Sequence, residues 1–399
     1  MRILIHDYAG HPFQVQLSRA LAARGHEVLH LYAAYNPTPK GALEPRGDDP
    51  QGFAVEGLTI GEGYVRYSFV TRWRQERAYG RLLARRIAAW RPELAFFCNT
   101  PLDTLSIAQA ACRKLGARFV FWVQDLSGIA AERILRARLP VVGELIGQYY
   151  IALERRIARR SDALVLITGD FEPLMARWGI ARDRLTVIEN WSPLDAIHPA
   201  PRDNAWAREH GLTDRLVILY TGMMGLKHNP SLVRDLALHM KDRPEVAVVV
   251  VSEGMGADWL AGHKAEEGLD NLILLGFQPF ERMSEVLASA DVLLAILEAD
   301  AGVFSVPSKV LGYLCAGRAI LASVPPENLA ARILNRHEAG LTVDADDALG
   351  LAAAAERLME EPDLRERLGQ NGLEYAKRTF DIDAITTRFE AVIARVMDS

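Results

Sequence analysis

Three turns in this sequence carry residues whose types and spacing suit the capture of an anion. FSVPSKVLGY begins at Phe304, after an apolar run that ends near Leu297. Pro307 suits a first helical turn, where its missing N–H costs nothing. Ser308 and Lys309 then offer a hydroxyl, backbone amides and a charge at the positive end of a helix. In LYTGMMGLKHNPSLV, Gly222 and Gly225 flank a turn after a second apolar run, and Lys227 follows closely. A lysine there would set a point charge on a phosphate oxygen, although the spacing is not that of a P-loop. The plainer alternative is a solvated surface lysine. Two such turns in one half of the chain fit a diphosphate better than coincidence does. The third turn, HDYAGHPFQVQLSRAL, sets Gly10 where a backbone can approach a ligand ahead of a helix, or where an ordinary tight turn needs its freedom. It is not G-x-G-x-x-G, which argues against a nicotinamide cofactor.

Other candidates carry less chemistry. FWVQDLSG puts Gln124 and Asp125 at the end of a buried run, with Asp125 directed at a ligand or capping the next helix. Asn99 in FFCNTPLD reads as a turn former, and so do Glu253 in VSEGMG and His228 in KHNP. No His/Cys/carboxylate cluster has metal-ligand spacing and no G-x-S-x-G elbow occurs, so neither a metal nor a resident cofactor is expected.

Positioning these turns falls to short apolar runs along the whole chain. RILIH, HEVLHLY, ELAFFC, RFVFWVQ, ALVLIT and LTVIEN come first; LVILYTG, VAVVVVSEG, LILLGF, VLLAIL and AILAS follow residue 215. They are continuous rather than alternating, as parallel strands covered on both faces require. Amphipathic stretches such as QLSRALAARG and SLVRDLALHM separate them, which predicts two doubly wound α/β domains. SPLDAIHPAPRDN, with three prolines, reads as a linker and sets the boundary near residue 200, giving domains 1–200 and 201–399. Asn36 to Gly63 reads as one long loop. Ligands of such folds sit at the carboxyl ends of the strands, where these turns lie.

Composition sets outer limits. A chain of 399 residues, 50% hydrophobic, buries a large core, and its net charge of −5 argues against a nucleic-acid partner. Residues 1–195 carry 26 Lys and Arg against 20 Asp and Glu, whereas the remainder carries 20 against 31. Cys98, Cys112 and Cys315 lack metal spacing and read as free thiols in a reducing compartment. MRILIHDYAG reads as a strand rather than a signal peptide, and no apolar run reaches the roughly 18 residues that span a bilayer. A cytoplasmic protein is expected.

With these turns in hand, the chain resembles a GT-B glycosyltransferase of the retaining family 4 type, nearest to bacterial members for colanic acid and other cell-surface polysaccharides. GHPFQVQLSRALAARGHEVLHLY, NTPLD, WVQDL, VIENW, YTGMMGLKHNP, LLGFQPFERMSEVLASADVLLAIL and VPSKVLGYLCAGRAIL carry the resemblance, in the family's order. It implies two Rossmann-like domains facing each other across a cleft, an acceptor held by the first, a nucleoside diphosphate sugar (UDP-linked) held by the second, and a last helix packing back on the first. Transfer would retain anomeric configuration and need no metal. Gly10 would approach the donor sugar and phosphates, Lys227 would hold the diphosphate, Phe277 would lie beside the base, and Ser308 with Lys309 would finish the phosphate site. Asp125 joins Lys227 as a catalytic candidate. Four positions depart from the pattern: Met223 replaces an arginine, Phe304 and Gly312 replace paired glutamates, and Gln124 replaces a histidine. A nucleotide-sugar epimerase is the alternative, with Asp125, Glu253 and scattered histidines as its acid/base candidates. A non-catalytic nucleotide-sugar sensor is the third reading.

VRYSFVTRWRQERAYGRLLARRIAAWRPE interleaves Arg66, Arg72, Arg74, Arg77, Arg81, Arg85, Arg86 and Arg91 with Tyr67, Phe69, Trp73, Tyr79 and Trp90. Such a stretch reads as a solvated helix face or as an element drawn to anionic lipid. In the positive half of the chain, it favours an inner-leaflet surface and a polyprenyl-phosphate-linked acceptor.

Overall fold

Seven parallel strands, β1 (Arg2–Asp7), β2 (Glu27–Ala33), β3 (Phe53–Leu58), β4 (Leu94–Cys98), β5 (Arg118–Val123), β6 (Ala163–Leu166) and β7 (Leu185–Val187), form one sheet of the computed structural model. Their order is β3-β2-β1-β4-β5-β6-β7. Residues 1–36, 40–41, 43–61, 63, 68–225, 228–299 and 307–398 are described, Arg138 by its backbone alone. Helices between the strands cover both faces, so β4 (LAFFC) is buried at every position. Strand order reverses between β1 and β4, whose pairing runs from Ile3↔Leu94 to Asp7↔Cys98. That register sets the turns after the two strands side by side. The helix Ile382–Met397 also belongs to this unit, which comprises Met1–Asn190 and Asp381–Ser399. Phe389, fully buried, packs on Phe96 and Trp122 with ring centroids 5.7 and 4.7 Å away.

The second unit, Trp191–Phe380, repeats the plan. β8 (Leu216–Thr221), β9 (Val246–Val251), β10 (Leu272–Leu275), β11 (Val292–Ile296), β12 (Ala319–Ser323) and β13 (Gly340–Val343) lie in the order β10-β9-β8-β11-β12-β13, again parallel. β9, VAVVVV, is buried throughout, as suits β-branched residues in a covered strand. The reversal here falls between β8 and β11.

Two strands escape the apolar-run reading. β3 lies within the stretch expected to be one long loop; it is an edge strand, half exposed, and so lacks a continuous apolar run. Its Gly57 lies against Tyr32, where an added Cβ would stand 2.8 Å from the ring. β13 (GLTV) is likewise a short edge strand. The unit boundary falls at Asn190 rather than near residue 200, because the segment read as a linker packs on the second unit: the Cys315 Sγ–H reaches Ser192 O, and the His198 amide reaches Ser284 Oγ. All three cysteines are free and buried.

Candidate functional site

β8 and β11 are paired at Ile218↔Val292 and Leu219↔Leu293, and beyond these positions a side chain holds them together. Tyr313, fully buried on the helix Lys309–Ala316, accepts from the Thr221 amide at 3.0 Å and donates to Leu294 O at 3.2 Å. The Tyr313 hydroxyl thus closes the gap where neighbouring strands of a doubly wound sheet diverge. The turn after β8 is braced from below. Tyr220 donates to Met223 O at 3.2 Å, the Met224 amide donates to Ser252 Oγ at 3.0 Å, and Met224 is wholly buried. Gly222 stands between them at φ +101°, a conformation that L side chains rarely adopt.

Lys309 reaches into this turn. Its stem is half-buried, but Nζ is enclosed and has no hydrogen-bond partner among the described residues. Nζ lies 3.4 Å from the centroid of the Tyr220 ring, and a Cβ built on Gly222 would stand 3.9 Å from it. The cation–π contact offsets part of the desolvation cost, yet burial still pushes the lysine pKa well below its ordinary value. A buried ammonium without an acceptor is costly unless an anion completes it.

The other expected residues of this unit are distributed around that point. Ser308 is exposed at the helix start, and its hydroxyl makes no cap hydrogen bond. The Gly225 amide points to His228 Nδ1 at 3.3 Å, so His228 closes the turn. Phe277 is half-buried beyond the end of β10, two strands from β8. Gly312 faces the segment after Trp191, where an added Cβ would meet Ile197 at 3.4 Å. Lys227 and Phe304 lie outside the described residues.

The first unit gathers a different set at its own reversal. Asp7, wholly buried at the end of β1, accepts from the Ala9 amide (3.2 Å), the His11 amide and Asn99 Nδ2 (3.0 Å). Asn99, after β4, adopts a left-handed φ of +50° and also lies 3.2 Å from His11 Nδ1. The His11 ring stands 3.5 Å from Asp7 Oδ1, with 35% of its side chain open to solvent. Burial opposes charge on both partners. The His11–Asp7 attraction outweighs it, so His11 sits above the usual imidazole pKa and Asp7 below the usual carboxylate one; the Asp125 charge adds to the first shift. Asp125 is half-buried and does not cap the helix Ser127–Arg138. Glu154 does so instead, accepting from the Ser127 and Gly128 amides at 3.0 and 2.9 Å; its burial raises the carboxyl pKa to about 8. Gln124 is engaged in a mutual amide pair with Asn190 (2.6 and 3.2 Å). Gly10 has φ +80°, and the face opened by its missing side chain is met by Leu43 and Lys40, at 2.8 and 3.3 Å from where a Cβ would stand.

In the arginine-rich stretch, the helix Phe69–Trp90 buries Tyr79, Leu83 and Ile87. Three of its arginines are engaged: Arg72 with Glu76 (2.8 Å), Arg77 with Asp103 (3.3 Å) and Arg86 with Glu56 (2.8 Å). Arg91 follows as the C-cap residue, and Arg74, Arg81 and Arg85 are exposed. Arg66 and Tyr67 lie outside the described residues.

Two doubly wound parallel sheets in one chain are the plan of the GT-B fold. Residues 11–191 match the family model "Glycosyl transferase 4-like domain" and residues 203–375 match "Glycosyl transferases group 1"; the chain belongs to the glycosyltransferases built from that pair. It is 23% identical over 306 residues to the colanic acid biosynthesis glycosyl transferase WcaI of Escherichia coli (strain K12), covering 75% of this chain and 73% of that one. It is 25% identical over 247 residues to the glycosyltransferase WbjE of Pseudomonas aeruginosa, covering 62% and 61%. Among solved structures, Anabaena HepE in complex with UDP-glucose superposes with a TM-score of 0.74 at 16% identity over 99% of both chains. WaaG, a glycosyltransferase of lipopolysaccharide biosynthesis, gives 0.68 at 16% over 97% and 98%. Neither family model describes an epimerase.

Proposed function

We propose that the enzyme transfers a sugar from a nucleoside diphosphate sugar, UDP-linked, to a lipid-linked cell-surface saccharide, with retention and without a metal or resident cofactor. The observation that carries this reading is the enclosed Nζ of Lys309 beside Gly222, without an acceptor among the described residues. As the bond from the anomeric carbon to the diphosphate breaks, negative charge grows on the leaving phosphate. The acceptor hydroxyl oxygen forms the new bond to the anomeric carbon, and its proton passes to the leaving phosphate oxygen. Lys309, with the Ser308 and Lys309 amides and Lys227, would meet the phosphate charge, the kind of preorganised stabilisation that contributes most to many enzymes. Ser308, Gly222 and Gly225 would line the diphosphate, and Phe277 the base. Gly10 and Asp125 would serve the sugar and acceptor once Lys40 and Leu43 give way. The colanic-acid relative supports a polysaccharide acceptor. For the membrane side, no helix among the described residues is long and apolar enough to cross a bilayer, and a polyprenyl-phosphate carrier would be met at an anionic inner-leaflet surface.

Incubation with UDP-sugars, with and without extracted lipid-linked saccharide, tests this directly. Free UDP is expected only with acceptor, the product linkage keeping the donor's anomeric configuration by NMR, and EDTA leaving the rate unchanged. Epimerised donor without acceptor, or an inverted product, overturns the reading.

A further inference from the structure

The helices Ser127–Arg138 and Pro140–Arg160 form a hairpin that begins two residues after Asp125. Glycines make up its inner seam. A Cβ at Gly143 would stand 2.0 Å from Leu135 O, and one at Gly147 2.5 Å from the Glu132 Cα. Gly128 repeats this from the first helix, 3.0 Å from the Ile151 Cα. The two backbones therefore touch, and large apolar side chains near the tip have no place between them. They point outward: Val141 is 74% and Leu145 69% exposed, and Leu139, Val142 and Tyr149 are exposed too. Positions 141, 142, 145 and 149 fall on one stripe of a helix.

The stripe does not end at the hairpin. The Tyr149 ring lies 5.3 Å from Tyr150, and Tyr150 lies 6.4 Å from Phe69. Phe69, Val70 and Trp73 are exposed in their turn at the start of the arginine helix. Buried Tyr150 joins the two exposed groups from beneath, and exposed apolar groups so linked mark an interaction site. Its surroundings name the partner. Arg74, Arg81 and Arg85 stand exposed on the same helix, and the only acidic residue between 139 and 149 is Glu144. An apolar strip edged by arginines complements an interface of acyl chains beneath anionic headgroups.

We propose that the stripe from Leu139 to Tyr149, joined by Phe69, Val70 and Trp73, docks on an anionic lipid surface, its apolar side chains entering the interfacial layer while the arginines meet the phosphates. This shifts the contact from the arginine helix alone to the hairpin tip. It deepens the membrane side of the proposed function and rests on the reading that the acceptor is lipid-linked.

The test is co-sedimentation with phosphatidylglycerol and with phosphatidylcholine vesicles, at low and high salt. Wild type is expected to sediment with the anionic vesicles. The double variant Val141→Ser/Leu145→Ser should bind at least about tenfold more weakly at either salt, because each apolar side chain leaving water contributes about that factor. Arg74→Gln/Arg81→Gln/Arg85→Gln should lose binding mainly at low salt. All these positions are exposed, so melting temperatures and UDP binding should match wild type. Unchanged sedimentation of the serine variant overturns the proposal. So does a wild-type dimer in light scattering that the serine variant abolishes while vesicle binding persists. Transfer to extracted lipid without vesicle binding sinks the docking surface alone; vesicle binding with transfer only to a soluble acceptor sinks the lipid-linked reading alone.

Discussion

The two sheets reverse strand order in the same way and equip the reversal in opposite ways. In the first unit, Asp7, His11 and Asn99 satisfy one another, a buried carboxylate held by two amides, a side-chain amide and an imidazole. In the second, Lys309 is enclosed with an aromatic ring and no described acceptor. A charge satisfied internally stabilises the fold; one left short of a counter-ion destabilises it and favours a ligand that supplies one. Identical topology therefore carries a charge cluster complete in itself and an enclosed lysine without an acceptor among the described residues.

The contrast can be broken most forcefully from the first unit. Asp7→Asn removes the buried carboxylate that two amides, Asn99 and His11 share and should cost about 3 kcal/mol, the scale of hydrogen bonds to a charged group, read as a fall in the denaturant midpoint. A variant as stable as wild type would show that the group is not a stabilising unit.

Lys309→Met should act in the opposite sense. Turnover should fall by about 10²-fold or more and UDP affinity should drop in calorimetry, while the free protein melts higher. The sign follows from the depressed lysine pKa: the unfolded chain binds a proton that the folded one resists, so wild-type stability rises with pH through the window between the depressed and ordinary values. The methionine variant should lack that slope. A variant that loses both affinity and stability would place Lys309 with the structural cations.

Gly222→Ala sharpens the comparison on a smaller scale. Forcing a side chain to φ +101° should cost about 1 kcal/mol or more, and the new methyl would sit beside Lys309, so UDP affinity should weaken with it. The smallest effect is a pH dependence. His11 has a raised folded pKa, so its contribution is fully present below the unfolded value and disappears as pH rises through the folded one. The melting-temperature gap between wild type and His11→Gln should therefore narrow from pH 5.5 to 8.5 (about one unit below to two above the ordinary imidazole value). A gap that widens would reverse the assigned coupling.

Much of this fold was legible because covered parallel strands read as unbroken apolar runs, as in Val246–Val251. The edge strands Phe53–Leu58 and Gly340–Val343 were not, because half-exposed strands mix polar and apolar residues. Within the site, the turn at Pro307–Lys309 and the glycine at 222 announced themselves by type. Tyr313 follows four residues after Lys309 without a sign that its hydroxyl would bridge two strands. The Asp7–Asn99 and Gln124–Asn190 contacts join residues 92 and 66 positions apart, and only the register of the sheet brings them together. Glu154 takes the cap expected of Asp125 from 27 residues away, because the helices Ser127–Arg138 and Pro140–Arg160 fold back on each other as a hairpin.

The return of Ile382–Met397 to the first sheet has a bearing on synthesis. The second unit is an insertion, with both of its ends tied to the first. While the chain leaves the ribosome, Phe96 and Trp122 must wait for Phe389 until all of Trp191–Phe380 has been made. The usual vectorial order, first domain complete before the second begins, is closed to this chain. Its first unit ripens last, and a nascent protein stopped at residue 380 would present chaperones with an uncapped core.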